Sequence, residues 1–237
     1  MSVEGVKALC FDVFGTVVDW RESIAREAAR ALRPRGVSLD WHAFADAWRA
    51  RYRPALEEVT SGRRPFAKLD VLHRENLLAV LEAYAIDGLS EAEIDHLNRA
   101  WHRLDPWPDV IEGLGRLKRK YILATLSNGN VALMVNMAKR AGLPWDVILG
   151  AEIARAYKRS PEAYLRSIAL LDLEPRACMM VAAHNDDLAA AAGCGLRTAF
   201  VARPTEHGPN QRTNLGAEHA FDVTAESFID LAERLGC

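Results

Sequence analysis

From residue 121 onward the chain repeats one pattern, and that pattern leaves few folds open. Short apolar runs, YILATLSN (121–128), WDVILG (145–150), ACMMVAA (177–183), LRTAFVA (196–202) and HAFDVTA (219–225), alternate with helix-patterned stretches over 131–142, from Ser160, from Asp187 and over 226–235. Strands that alternate with helices are laid side by side and parallel, each helix crossing back over a face of the sheet, so the expectation is a doubly wound α/β sheet. One more strand-like run, VKALCFDVF (6–14), lies far upstream and ends at a Gly15-Thr16 turn. Between it and the rest stand some eighty residues of a different character.

That intervening block reads as helical. Trp41, Phe44, Trp48 and Tyr52 recur at three- and four-residue steps, as do Leu69, Leu72, Leu77, Val80, Leu81 and Tyr84. Such stripes are the apolar faces of amphipathic helices, and packing explains their rings better than a cofactor box does. SEAE at 90–93 is a capping box that opens a helix expected to carry Ile94, Leu97, Trp101 and Leu104, and the prolines of LDPWPDV (104–110) end the block. The expected organisation is therefore an α/β core built from residues 1–17 and 105–237, with a helical cap subdomain, 18–104, inserted after the first strand.

Composition removes several classes of function. Among 237 residues, half of them apolar, 30 basic residues stand against 32 acidic ones for a formal charge of -2, and no basic tract stands out. Neither nucleic acid nor an anionic membrane surface is an expected partner. No stretch approaches the ~20 apolar residues of a membrane span, and the N-terminus lacks a basic region followed by an apolar one. Cys10, Cys178, Cys194 and Cys237 show no C-x-x-C spacing. Reduced thiols in a cytoplasmic protein are the expectation.

In an open α/β sheet, ligands bind beyond the carboxyl ends of the strands. Asp12 closes the first strand, Ser127 and Asn128 the next core strand, Lys158 follows the third and Asp187 the fourth. Each has a plainer reading: a strand-end acid, a turn, a solvated lysine, a helix-capping acid. Only their convergence on one edge points to chemistry.

Taken in order, Asp12 with Thr16, Ser127-Asn128-Gly129, Lys158 and Asp187 resemble the four motifs of the haloacid dehalogenase superfamily, across essentially the whole chain including the cap. Most of that superfamily are Mg²⁺-dependent phosphotransferases with a first motif D-x-D-G-T and a fourth like V-G-D-S-x-x-D-I. Here the first motif is D-V-F-G-T and the fourth is VAAHNDDL, so Phe14 and Ala183 stand where carboxylates are expected. A phosphoester releases an alkoxide that needs a proton donor, and its transferring group gathers charge that a cation normally offsets. A carbon–halogen bond needs neither, because halide leaves without protonation. It needs a carboxylate nucleophile, ionised because Asp titrates near ~3.9.

The sequence accordingly resembles the (S)-2-haloacid dehalogenase branch. That resemblance implies that Asp12 displaces halide with inversion and becomes an ester, which water hydrolyses to the 2-hydroxy acid. Thr16 orients Asp12, Ser127 and the backbone near Asn128 hold the substrate carboxylate, Lys158 keeps Asp12 ionised, and Asp187 positions Lys158 and helps activate water. Tyr164 matches a family tyrosine. Trp48-Arg49 matches a Trp-Arg segment whose arginine reaches the departing halide, with Asn128 beside it, and Phe14 is the aromatic of the branch's first motif. In familiar relatives the fourth motif runs S-S-N-x-(W/F)-D; His184 here replaces the asparagine and Asp186 the aromatic. A donor-bearing pocket at His184 suits fluoride. No metal and no cofactor are expected; the partners are a small haloacid and halide ion, and the branch suggests a homodimer. Open alternatives are a hydrolase acting on a phosphoester or another small carboxylate, such as a strained cyclic amino acid, and a member that only binds a metabolite.

Overall fold

Strand β1 (Ala8–Phe11) turns Leu9 and Phe11 to one face and Ala8 and Cys10 to the other, and all four are completely buried. A strand apolar on both faces belongs in the middle of a sheet covered on both sides. The computed structural model, which describes residues 3–237, places β1 there. Residues 1 and 2 of the expected core segment lie outside the described residues.

After β1 come a short β2 (Val18–Asp19), then α1 (Trp20–Leu32), α2 (Trp41–Ala50), α3 (Tyr52–Thr60), α4 (Leu69–Ala83), α5 (Glu91–Asn98) and a 3₁₀ turn over Arg99–Arg103. The chain returns through β3 (Asp105–Pro106) and α6 (Val110–Leu117), then alternates: β4 (Ile122–Ser127), α7 (Val131–Ala141), β5 (Val147–Gly150), α8 (Ala151–Ala154), α9 (Pro161–Ala169), β6 (Cys178–Ala182), α10 (Asn185–Gly193), β7 (Arg197–Val201), β8 (Val223–Ala225) and α11 (Phe228–Arg234). The sheet runs β5-β4-β1-β6-β7-β8 and every pairing in it is parallel, as the alternation requires. Phe11 is level with Thr125 on β4 and Val181 on β6, so Asp12 follows β1 beside the last residues of its two neighbouring strands. No helix among the described residues is long and apolar enough to cross a membrane.

Two chain passages join the sheet to the helical block, and they are neighbours. β2 pairs antiparallel with β3, Val18 opposite Pro106 and Asp19 opposite Asp105. Asp19 also caps α1, its carboxylate accepting the Glu22 N–H.

Several expectations need correction. The aromatic stripe from Trp41 to Tyr52 is not one helix: α2 ends at Ala50 and Tyr52 opens α3. The capping box at Ser90 and Glu93 is present, but its helix ends at Asn98, and Trp101 lies in the tighter 3₁₀ turn. Asn98 donates its side-chain N–H to the Asp70 carbonyl at 3.0 Å, which anchors the chain to α4 at that break. α10 begins at Asn185, two residues early, which puts Asp187 inside its first turn where the helix dipole favours a carboxylate. Helix α6 is hidden in the sequence by Gly113 and Gly115. Gly113 is demanded by packing, since a Cβ there would come within 2.5 Å of the Phe228 side chain on α11.

Candidate active site

Asp12 is 6% exposed and is the hub of the sheet edge. Its Oδ1 accepts from Lys158 Nζ at 2.8 Å, and its Oδ2 accepts from Thr16 Oγ1 at 2.7 Å and lies 3.1 Å from His184 Nδ1. Thr16 is fixed in turn, because its Oγ1 accepts the Ala183 N–H at 2.9 Å across the β1–β6 seam. Lys158 reaches on to Asp187 Oδ2 at 2.6 Å, and the Tyr164 hydroxyl donates to Asp187 Oδ1 at 2.6 Å. Sequence positions 12, 16, 158, 164 and 187 thus form one hydrogen-bonded chain.

The charges in this chain are set by burial and by each other. Burial alone would raise the Asp12 carboxyl, but the Lys158 ammonium and His184 outweigh it and hold Asp12 well below the usual carboxylate range. Burial would lower Lys158, yet the two carboxylates beside it keep its ammonium above the ordinary lysine value. Asp187 goes the other way: burial, helped by the charge on Asp12, lifts it despite Lys158. The edge therefore holds one carboxylate locked in its anionic form and a second that takes a proton more readily.

A divalent cation of the kind most of the resembled superfamily uses does not fit here. The space between Asp12 and Asp187 is bridged by the Lys158 ammonium. Phe14, 3% exposed, stands edge-on to Trp101 where a second acid would be needed, and Ala183 offers no ligand. Among the described residues, no group of three His, Cys, Asp or Glu side chains is arranged to hold a metal ion.

Above the edge lies a cavity of ≈ 1040 Å³, walled from below by Asp12, Phe14, Asn128, Lys158, His184 and Asp187 and from above by Trp20, Arg49, Tyr52 and Leu56 of the helical block. Arg49 sits with its guanidinium carbon 4.2 Å from the Tyr52 ring centre and 5.4 Å from that of Trp20. Its Nη1 is buried and has no hydrogen-bond partner among the described residues. Donors in that state cost free energy unless something else accepts from them. Asn128 uses both ends of its amide, donating to the Tyr52 hydroxyl and accepting the Lys158 N–H, each at 2.8 Å.

Other expected residues fall elsewhere. Trp48 does not line the cavity; it is 1% exposed and its indole donates to the His73 carbonyl at 2.9 Å. Successive helical residues point about 100° apart, so Trp48 and Arg49 cannot share a face of α2, and it is Tyr52, the first residue of α3, that accompanies Arg49. Tyr164 and Ser127 lie behind the wall, Tyr164 supporting Asp187 and Ser127 Oγ accepting the Gly129 N–H at 3.2 Å. His184 lines the cavity, but as a halide donor it is already committed: Nδ1 faces Asp12 and Nε2 faces Glu206 Oε2 at 2.9 Å. Asp186 sits at the mouth, where Arg159 at 2.7 Å and Arg53 of α3 at 3.3 Å converge on it.

The residue the sequence did not disclose is Glu206. The stretch RPTEHGPNQ (203–211) reads as a surface loop, yet Arg203 is 7% and Glu206 1% exposed. Arg203 donates to the Thr16 carbonyl and clasps Asp109. Glu206 lines the cavity beside His184, 194 positions from Asp12 in the chain and without a local pattern to mark it.

Known proteins share this fold. The family model described as haloacid dehalogenase-like hydrolase matches residues 6–195. The defluorinating L-2-haloacid dehalogenase Rha0230 superposes with a TM-score of 0.96 at 50% identity, over 98% of this chain and 96% of that one. The L-2-haloacid dehalogenase PA0810 gives a TM-score of 0.94 at 45% identity, covering 97% and 98%. (S)-2-haloacid dehalogenase 4A of Burkholderia cepacia is 27% identical over 94% of this chain and 98% of its own length.

Proposed function

Because the chain belongs to the haloacid dehalogenase-like hydrolase family, we propose that it hydrolyses short (S)-2-haloacids to 2-hydroxy acids through an ester on Asp12, with inversion at carbon 2. The observation that carries this reading is the Asp12 carboxylate itself: buried, held anionic by Lys158, and with Phe14 rather than a second acid beside it. An ionised carboxylate next to an ammonium serves a reaction whose leaving group is an anion and takes no proton.

The hydrogen bonds distinguish the two Asp12 oxygens. A carboxylate oxygen has two lone-pair directions. Oδ2 spends both, on Thr16 and His184, whereas Oδ1 spends one, on Lys158. Oδ1 is therefore the attacking atom. Arg49, with its unpartnered Nη1, receives the halide from the helical block, and Asn128 with the N–H groups around it orients the substrate carboxylate. Asp187 then draws a proton from the hydrolytic water, a task suited to a carboxyl whose affinity for protons is raised. No step calls on a metal ion. In this reading residues 18–104 act as a cap over a core formed by 1–17 and 105–237.

The range of substrates includes fluoroacids. Rha0230 is described as defluorinating and shares half its aligned residues with this chain. The donor for fluoride is the Arg49 guanidinium, since both nitrogens of His184 are engaged.

Halide release from chloro-, bromo- and fluoroacetate and from both enantiomers of 2-chloropropionate, measured in EDTA, tests this reading. Release from the S enantiomer that vanishes in Asp12→Asn is the expected result. Absence of release from every haloacid, or activity only with Mg²⁺ on a phosphoester, overturns it.

A further inference from the structure

We propose that Glu206 and His184 form a charged oxyanion clamp for the second half-reaction, in which the imidazolium Nδ1–H, with the Thr16 hydroxyl, holds Asp12 Oδ2 as the ester is hydrolysed. The proposal rests on the ester reading above and assigns its hydrolysis two side chains beyond Asp187 and Lys158.

The ring's protonation follows from its neighbours. Nδ1 faces Asp12 Oδ2 at 3.1 Å, and Nε2 faces Glu206 Oε2 at 2.9 Å and Oε1 at 3.2 Å. An ionised carboxylate only accepts, so a ring between two of them must donate from both nitrogens and carries a positive charge. Burial would lower the ring, but Glu206 and Asp12 lift it well above the ordinary histidine value. Glu206 is fixed as an anion by the same contact, which together with the other nearby cations overcomes the cost of its burial. The groups facing this pair are Asp12, with Lys158 and Thr16 behind it, the Trp20 indole N–H at 3.1 Å from Glu206 Oε1, His207 Nε2 at 3.7 Å, and Arg49 within Coulombic reach.

The nucleophile's own turn is shaped around Glu206. Gly15 has φ +86, and a Cβ there would come within 2.0 Å of Glu206 Oε1. The carboxylate thus fills the place a side chain on the Asp12–Thr16 turn would otherwise occupy.

With Oδ1 bonded to the substrate carbon, Oδ2 becomes the ester carbonyl oxygen and keeps its two donors. Water adds to Cγ, its proton passes to Asp187, and the negative charge that develops on Oδ2 meets Thr16 and the His184 cation. The Cγ–Oδ1 bond then breaks. Lys158 protonates the departing 2-hydroxy oxygen and Asp187 returns its proton to Lys158 across their 2.6 Å contact, while the second proton of the water, left on the new Asp12 carboxyl, passes to solvent and Asp12 is again a carboxylate. Donors aimed at the atom where charge develops act on that step alone. Glu206 touches no reacting atom and is a positioning residue: it keeps the ring charged and turned toward Oδ2.

Rapid-quench turnover of (S)-2-chloropropionate, reading chloride and the mass of the Asp12 ester together, tests the clamp. His184→Ala is expected to slow ester hydrolysis about 10²-fold more than it slows first-turnover chloride release, so that the adduct accumulates. His184→Asn restores a neutral donor and recovers part of the loss. Glu206→Gln keeps an acceptor for Nε2 but removes the charge, so its ester hydrolysis matches wild type in acid and falls as pH rises past about 6.5, the ordinary histidine value. The double variant is no slower than His184→Ala, because Glu206 acts through the ring. Equal slowing of chloride release and hydrolysis, absence of adduct, or a Glu206→Gln profile parallel to wild type overturns the clamp. If His184→Ala does not fold, the Glu206→Gln profile decides alone. Wild-type protein that releases no chloride overturns the ester reading instead, so the two failures are told apart.

Discussion

The Asn128 side chain donates a 2.8 Å hydrogen bond to the hydroxyl of Tyr52, joining the end of β4 to the first residue of α3. Through its other end the same amide accepts the Lys158 N–H, so one small side chain relates the helical block, the sheet edge and the lysine loop.

Removing the Tyr52 hydroxyl leaves Asn128 without that anchor. Tyr52→Phe should cost about 1 kcal/mol of ordering at the cavity, expressed as a several-fold rise in KM with kcat largely kept. Steady-state halide release checks it; a fall in kcat with unchanged KM would mean that Tyr52 touches the transition state.

Arg49 holds its guanidinium over the rings of Tyr52 and Trp20, and a lysine ammonium lacks its planar fork of donors. Arg49→Lys should therefore depress fluoride release from fluoroacetate about tenfold more than bromide release from bromoacetate, since fluoride depends most on hydrogen bonding as it departs. Equal losses for the two halides would remove Arg49 from the leaving-group site.

Lys158 is the only cation in contact with both Asp12 and Asp187 among the described residues. Lys158→Met should abolish turnover and cost about 3–5 kcal/mol near neutral pH, because two buried carboxylates lose their partner. The folded-state value of Asp12 is depressed in the wild type, so the stability it contributes is present above the ordinary aspartate range and is lost as pH falls through it. In the variant both acids favour protonation, and the gap to wild type should narrow toward pH 4. Urea unfolding across that range measures it.

His73 supplies a pH effect of opposite origin. Its ring, 2% exposed and stacked on Trp101 at 4.3 Å, is pushed down to about 3, first by burial and then by the charge on Arg49. The unfolded chain takes up this proton below about 6.5 and the native state does not until about 3, so stability is lost by up to a few kcal/mol as pH drops through that window. His73→Phe keeps a ring for the stack and should flatten that part of the profile. An unchanged slope would place the titration elsewhere.

How far the sequence discloses the molecule depends on whether a residue's role is local. β1 was legible because a central strand is apolar on both faces, and Asp12, Thr16, Lys158 and Asp187 because they close successive strands or open the segments after them. Helix α6 was not, because packing against Phe228 demands the very glycine that weakens a helical pattern. The turn into 3₁₀ geometry at Arg99 depends on Asn98 meeting Asp70, a contact between separate helices. Trp48 turns from the cavity because it points about 100° away from Arg49 on α2, whereas Tyr52 meets Arg49 from the start of α3, a separate helix. Glu206 is the extreme case: polar, in a loop rich in proline and glycine, and buried only because the fold brings His184, Trp20 and Gly15 around it.

The ribbon of Val18–Asp19 against Asp105–Pro106 has a consequence for how such molecules diversify. Paired antiparallel strands stand about 5 Å apart, so departure and return cross the boundary as a single narrow stalk. An insert of any length or topology grafts onto the sheet provided its two ends meet at that separation. Replacement of the overlying helices would therefore redraw the roof of the cavity, and with it the choice of acid, while Asp12, Lys158 and Asp187 stay where the strands put them.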